Sequence, residues 1–145
     1  MFEKLYLLVK NNATTAIFDN PAIPQQYHEA VINEASSTII EVLKSQLETG
    51  KMKDLVKFFQ YPGIYNNSLV KTMVTRFANK LNKFYGIETS TALTVATSII
   101  PPVMLELVVQ SKNKQDKEFS LSNFLSKLNG NKADLSGLMH RMALA

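Results

Sequence analysis

Few residues in this chain could bind a metal or act as acid–base catalysts. Its only imidazoles are His28 and His140, and it has no cysteine. A zinc site needs three or four ligands at recognisable spacing, and neither histidine has such partners. On a helical wheel His28 falls beside Val31, toward the predicted buried side, so we expect it to pack rather than to bind metal. The lack of cysteine excludes disulfides and a cysteine nucleophile.

Glu106 is the only acid within a long apolar run, residues 92–109, with the sequence ALTVATSIIPPVMLELVV. If buried, its carboxylate would have a raised pKa and could be functional. On the solvent side of a helix it would be an ordinary surface group, and we favour this second interpretation. No serine, threonine or lysine has a recognisable activating neighbour, and no phosphate-binding glycine loop or G-x-S-x-G motif occurs. We therefore predict no catalytic residue, no metal, no cofactor and no enzymatic activity.

Basic residues are concentrated between residues 51 and 85, where seven lysine and arginine residues occur with a single acid, Asp54. Arg76, Lys80 and Lys83 fall within about 60° of one another on a predicted helix. Together with two lysines of the preceding helix they form a candidate polyanion-binding set, called here the basic set: Arg76, Lys80, Lys83, Lys57 and Lys53. Phosphates would bind these cations, and nearby aromatic side chains could stack on bases. The alternative is an ordinary solvated surface, since the chain has only two arginines.

Apolar residues recur every three or four positions along most of the chain, and this spacing is typical of amphipathic helices. It predicts helices over 25–48, 51–60, 67–85, from about 88 onward, and near 121–129 and 133–143. In the first of these helices, Glu34, Glu41 and Glu48 form a stripe opposite the apolar side. We expect this acidic stripe to be solvated.

Residues that favour helix ends lie where the spacing predicts them. Asn67 or Ser68 is a suitable cap for the helix over 67–85. Gly50, Gly86 and Gly130 each follow a predicted helix, where a residue in the left-handed conformation is favoured.

The apolar run 92–109 is long enough to span a membrane, which takes roughly 18 apolar residues. Glu106 and the polar first half of the run argue against a span. Proline lacks the amide donor and clashes with the preceding turn, so Pro101 and Pro102 predict a break or a kink, with a second helix beginning after them. We expect the two halves to form the core. The alternative is a groove for a lipid or a partner helix.

The fold predicted for residues 1–145 is one compact all-α domain of about seven or eight helices. The composition is that of a globular protein, with 46% hydrophobic and 19% charged residues. The segments 50–59 and 130–139 share the pattern G-x-x-x-D-L, which indicates a faint duplication of units near 25–60 and 88–140. Because the N-terminus lacks the basic start and apolar stretch of a secretory signal, we expect a cytoplasmic protein.

Two segments resemble a known family. YGIETSTALTVATSIIPPVMLEL (85–107) resembles the YidB-like bacterial family of domains of unknown function, in which a glycine and an aliphatic residue precede an alanine-spaced helix, a proline and a leucine-rich helix. NPAIPQQYHEAVINEASSTIIEVLKSQLETGKMKDLVKFF (20–59) is similar to the N-terminal half of members from Bacteroidetes-type bacteria. The resemblance covers roughly residues 1–110. It implies a compact all-helical bacterial protein with no established enzymatic activity.

Two functions follow as hypotheses. The leading one is a non-catalytic protein-interaction or scaffold module that binds an unknown protein partner. The alternative is binding of nucleic acid or another polyanion through the basic set. Neither hypothesis requires a transmembrane segment, and we expect none.

Overall fold

The chain forms an all-α structure, as the sequence predicts. The computed structural model describes residues 2–60, 63 and 67–112, and these residues contain no strand. They form five α-helices: α1 (Phe2–Asn11), α2 (His28–Glu48), α3 (Met52–Gln60), α4 (Ser68–Tyr85) and α5 (Thr89–Ser111). The predicted helices near 121–129 and 133–143, Gly130, His140 and the second half of the faint repeat lie outside the described residues.

The predicted positions of α2, α3 and α4 are confirmed to within a few residues. The side-chain oxygen of Asn67 accepts a hydrogen bond of 2.8 Å from the amide of Leu69, and this bond caps the start of α4. Gly86 directly follows α4 and has a φ of 65°, in the left-handed region, and Gly50 after α2 has a φ of 75°. Glycine adopts this conformation without the steric penalty of a side chain, so both glycines allow the chain to turn sharply after a helix.

No helix is predicted for residues 1–24, where the chain forms α1 and one short helical turn, and a second short turn leads into α2. Thr14–Phe18 is a π-helical turn, and Gln25–Tyr27 is a 3-10 turn that leads into α2. The amides of Ile17 and Phe18 both donate to the carbonyl of Ala13, at 2.8 and 3.1 Å. Because Ala13 and Ile17 are buried, this π-helical turn also contributes to the core.

α5 lies at the centre of the fold and packs most extensively against α4, with further contacts to α1, α2, α3 and the π-helical turn. Ten of its residues are buried: Ala92, Val95, Ala96, Ile99, Ile100, Pro101, Val103, Met104, Leu107 and Val108. The expectation that the run 92–109 supplies much of the core is therefore confirmed.

The predicted break at Pro101 and Pro102 is wrong, because α5 is one continuous α-helix from Thr89 to Ser111. Each proline removes the amide that would bond the carbonyl four residues earlier, which costs about 3 kcal/mol in a helix interior. The two deprived carbonyls belong to Thr97 and Ser98, which are exposed residues, so water can hydrogen-bond to them.

Packing on both sides of the prolines accounts for the continuity of α5. Ile99, Ile100, Val103 and Met104 are completely buried. Each side chain of this size contributes about 1.5–3 kcal/mol when it is removed from water. A break would turn some of these four side chains away from the core. The continuous helix is therefore the more stable arrangement.

By length and composition alone, α5 could also cross a membrane. In this structure, however, 56% of its most apolar 18-residue window is buried by the rest of the protein. The core therefore accounts for much of the apolar character of α5.

Replacing Pro102 by alanine tests whether the prolines are tolerated through packing. Pro102 is half-buried, so Pro102→Ala loses little contact and restores an amide donor to the carbonyl of Ser98. We expect the free energy of unfolding, measured by urea denaturation, to rise by about 1–3 kcal/mol. Pro101→Ala is the control with a smaller expected gain, because Pro101 is buried and its packing would be lost. A loss of stability in Pro102→Ala would contradict this account.

Candidate functional site

The basic set is distributed over two helices. Arg76, Lys80 and Lys83 lie on α4, whereas Lys53 and Lys57 are exposed on α3, which packs against α2 and α5. Arg76 and Lys83 are also exposed, and the Lys83 ammonium lies 5.7 Å from the centre of the Phe84 ring. These four residues remain available to solvent, as a polyanion-binding surface requires.

Lys80 differs from the rest of the basic set because it is already bound to α2. Its ammonium lies 3.0 Å from Oε2 of Glu41 and 3.8 Å from Oε2 of Glu34. It also donates a 3.1 Å hydrogen bond to the hydroxyl of Thr38, a completely buried side chain. Only 20% of the Lys80 side chain is exposed. A phosphate that approached Lys80 would therefore meet two carboxylates, which repel it.

Tyr85 extends this polar contact toward the end of α4. Its hydroxyl donates a 3.3 Å hydrogen bond to Oε1 of Glu34, and its ring makes an edge contact with Tyr27 at 5.7 Å. Burial raises the pKa of Tyr85 above its ordinary value, and the charge of Glu34 and their hydrogen bond raise it further. The hydroxyl therefore stays protonated as a donor. We call Glu34, Thr38, Glu41, Lys80 and Tyr85 the α2–α4 clasp.

The clasp corrects the expectation for the acidic stripe. Glu34 and Glu41 bind Lys80 and hold two helices together, rather than facing only solvent. Glu48 is exposed, as expected. Since Glu34 contacts Tyr85 while Glu41 contacts Lys80, α2 and α4 run antiparallel. The geometry of the clasp is that of a structural contact.

Glu106 and His28 also have structural partners. Glu106 is half-buried rather than fully on the solvent side, and its Oε2 accepts a 3.1 Å hydrogen bond from Nδ2 of Asn12. This bond ties α5 to the end of α1. His28 is half-buried as well, with Nε2 3.0 Å from the carbonyl oxygen of Ile23 and an edge contact to Phe18 at 5.3 Å. The expectation that His28 packs is confirmed.

A polar cleft of about 460 Å³ lies between the end of α1, the π-helical turn and α5. Its lining includes Asn11, Asn12, Thr94 and Ser98, and none of the described residues that line it is charged. The hydroxyls of Thr94 and Ser98 donate to carbonyls of their own helix at 3.0 and 2.8 Å. These two donors are therefore already used within the protein.

An apolar face is exposed on the second half of α5. Leu105 is 43% exposed and Val109 is 61% exposed, while Pro102 is half-buried one turn before them. The three residues, called here the α5 apolar face, lie at positions i, i+3 and i+7 and so line one side of the helix. This face was not predicted from the sequence, because the whole apolar run 92–109 was interpreted as core or as a groove. Its signal was a second apolar stripe, opposite the buried stripe of Ile100, Met104 and Leu107.

No protein-family model, curated protein or solved structure matches this chain. The resemblance to the YidB-like family therefore remains a prediction that depends on the two segments quoted above.

Removing the charge of Lys80 should destabilise the protein. Lys80→Met keeps the aliphatic stem but removes two ion pairs and the hydrogen bond to Thr38. We expect the free energy of unfolding to fall by about 1–2 kcal/mol in urea denaturation at low salt, with a smaller difference at high salt. The matched control is Lys83→Met, an exposed position one turn away, where we expect a change within about 0.5 kcal/mol. Equal effects of the two substitutions would show that the clasp contributes nothing specific.

Proposed function

We propose that this chain is a non-catalytic protein-interaction module that binds an amphipathic helix of its partner on the α5 apolar face. The observation that carries the proposal is the exposure of Leu105 and Val109 on a helix whose opposite side is buried. Large apolar side chains exposed in register on one helix face are a recurrent feature of protein-binding surfaces.

The spacing of the α5 apolar face favours a helical partner. Residues at i, i+3 and i+7 form a seam that matches the seam of another helix at a small crossing angle. The seam continues through Ser98 toward the start of α5, where the exposed residues are small and polar. The apolar contact therefore covers about the last three turns of α5.

The size of the α5 apolar face sets the expected strength of binding. Leu105 is 43% and Val109 is 61% exposed. Burying what remains exposed of these two side chains contributes about 1.5–3 kcal/mol before the entropy of association is subtracted. A micromolar complex requires about 8 kcal/mol of net binding free energy. The face alone therefore gives weak, reversible binding, and a tight complex needs further contacts from the partner. Because α5 is held on its buried side by four other helices, little ordering of the protein opposes binding.

A neutral helical peptide tests the α5 apolar face. The probe is a fluorescein-labelled, alanine-based peptide with leucines at i, i+3 and i+7 and glutamines elsewhere, and its binding is followed by fluorescence anisotropy. We expect Leu105→Glu with Val109→Glu to weaken binding at least about tenfold, because each places a charge in the apolar contact. The control is Leu93→Glu, since Leu93 is 50% exposed on the same helix but lies near its other end.

The proposal is tested by the difference in peptide affinity between the Leu105→Glu, Val109→Glu double variant and the Leu93→Glu control. Equal loss of binding in Leu93→Glu would mean that the peptide binds apolar surface without preference for this face. No binding by the wild-type protein at any accessible peptide concentration would count against the proposal. Circular dichroism of each variant shows whether the fold is retained.

Polyanion binding is the second candidate function, and the exposure of Arg76, Lys83, Lys53 and Lys57 favours it. No acidic partner of Arg76 or Lys83 occurs within the described part of the chain. The pairing of Lys80 with Glu34 and Glu41 reduces the positive charge of this surface. We therefore rank polyanion binding below the protein-interaction hypothesis.

Charge reversal that leaves the clasp intact tests this second candidate. We expect Arg76→Glu with Lys83→Glu to weaken the binding of labelled single-stranded RNA at least about tenfold at low salt, if the candidate is correct. Lys10→Glu with Lys44→Glu is the control, because both lysines are exposed on other helices and the net charge changes equally. Equal losses in the two double variants would indicate binding through net charge alone. Lys80 is left unchanged, since its reversal would break the clasp.

A further inference from the structure

We propose that a groove between α4 and α5 binds a small amphiphilic carboxylate, whose charged group pairs with Lys71 and whose apolar part packs between the two helices. The groove, called here the α4–α5 groove, has a volume of about 300 Å³ and is lined by Val70, Lys71, Val74, Thr75, Thr97 and Pro101. Leu105 and Val109 are not part of this lining. The inference therefore concerns a second site and does not depend on the proposed function.

The floor of the α4–α5 groove is apolar. Val70 and Val74 lie one turn apart on α4, the first buried and the second half-buried, and Pro101 is buried on α5. The side chains of these three residues have no polar atom that needs a hydrogen-bond partner. An aliphatic group that enters the groove therefore replaces water on this floor without leaving a polar side chain unpaired.

The rim of the α4–α5 groove carries a cation and two hydroxyls. Lys71 and Thr75 are exposed one turn apart on α4, and Thr97 is exposed on α5. Within the described residues, no acid pairs with the Lys71 ammonium. Lys71 differs in this respect from Lys80, whose ammonium is held by two carboxylates of α2. A carboxylate at the rim would therefore meet a cation that has no partner in the protein.

The two rim hydroxyls are also available to a ligand. Helical hydroxyls often donate to the carbonyl four residues earlier, as those of Thr72 and Ser98 do at 2.9 and 2.8 Å. In the described part of the chain, the hydroxyls of Thr75 and Thr97 make no hydrogen bond of this kind. Both can therefore donate to a carboxylate oxygen at the rim.

Volume and charge together define the class of ligand. A volume of about 300 Å³ is at the lower end of the range for ligand pockets, so a small amphiphile fits the groove better than a phospholipid does. The one lysine matches the single charge of a carboxylate better than the nearly double charge of a phosphate monoester. The carbonyl of Thr97 has no helical partner, because Pro101 lacks an amide, and it would repel a carboxylate. The charged group is therefore favoured on the Lys71 side of the groove.

Octanoate is the probe, and its binding to the full chain is followed by the amide NMR chemical shifts below its critical micelle concentration. We expect the shift changes to be centred on residues 70–75 and 97–100. We expect Lys71→Gln to weaken octanoate binding at least about threefold, because it removes an exposed ion pair. The matched control is Lys83→Gln, since Lys83 is an exposed lysine of the same helix outside the groove lining. This control should bind octanoate as the wild type does.

Octanamide, which has the same chain length and no charge, is the second control. We expect the wild-type protein to bind octanamide at least about threefold more weakly than octanoate. Equal binding of octanoate by Lys71→Gln and Lys83→Gln would overturn the inference, as would equal binding of octanoate and octanamide by the wild type. Shift changes centred on residues 102–109 would assign octanoate to the α5 apolar face instead and overturn the groove as its site. No shift change in the wild-type protein would equally overturn the inference. The dispersion of the amide signals shows whether each variant retains the fold.

Discussion

Burial of α5 is the constraint on which the remaining structure depends. Four other helices and the π-helical turn contact it, and ten of its 23 residues are buried. A helix that is apolar on most of its circumference must be surrounded, because each exposed leucine or isoleucine forgoes about 1.5–3 kcal/mol. The positions of α1 and α4 follow from this requirement, as does the continuity of α5 through two prolines that would break a less well-packed helix.

Polar contacts at the edges of the core orient the helices around α5. The clasp fixes α4 along α2, and the hydrogen bond from Asn12 to Glu106 fixes the end of α1 against α5. Partly exposed contacts of this kind contribute about 1 kcal/mol each, much less than the buried apolar side chains. They do, however, require particular atoms to meet. Their main effect is therefore on the orientation of the helices, whereas the stability of the bundle comes mostly from the core.

Local features of the fold could be predicted from sequence, and contacts between distant residues could not. The helical spacing of apolar residues located α2, α3 and α4, and Asn67 and Gly86 mark the ends of α4 as their chemistry requires. Lys80 was assigned to a basic surface because its partner Glu41 is 39 residues away, and Asn12 is separated from Glu106 by 94 residues. No local pattern encodes such pairs. The predicted break at Pro101 and Pro102 is wrong for the same reason, since tertiary packing of α5 outweighs the tendency of proline to end a helix.

The two apolar sides of α5 have different physical consequences. Ile99, Val103 and Leu107 are completely buried, so membrane insertion of α5 would require the described core to separate from it. Lipid would cover α5 itself after insertion, so the cost falls on the buried side chains of α1, α2 and α4 that pack against it, each of which would forgo about 1.5–3 kcal/mol on exposure to water. Leu105 and Val109 can exchange water for another apolar surface without disturbing that core. A binding function that uses the second side is therefore compatible with the fold, whereas a membrane span needs a different arrangement of the same chain.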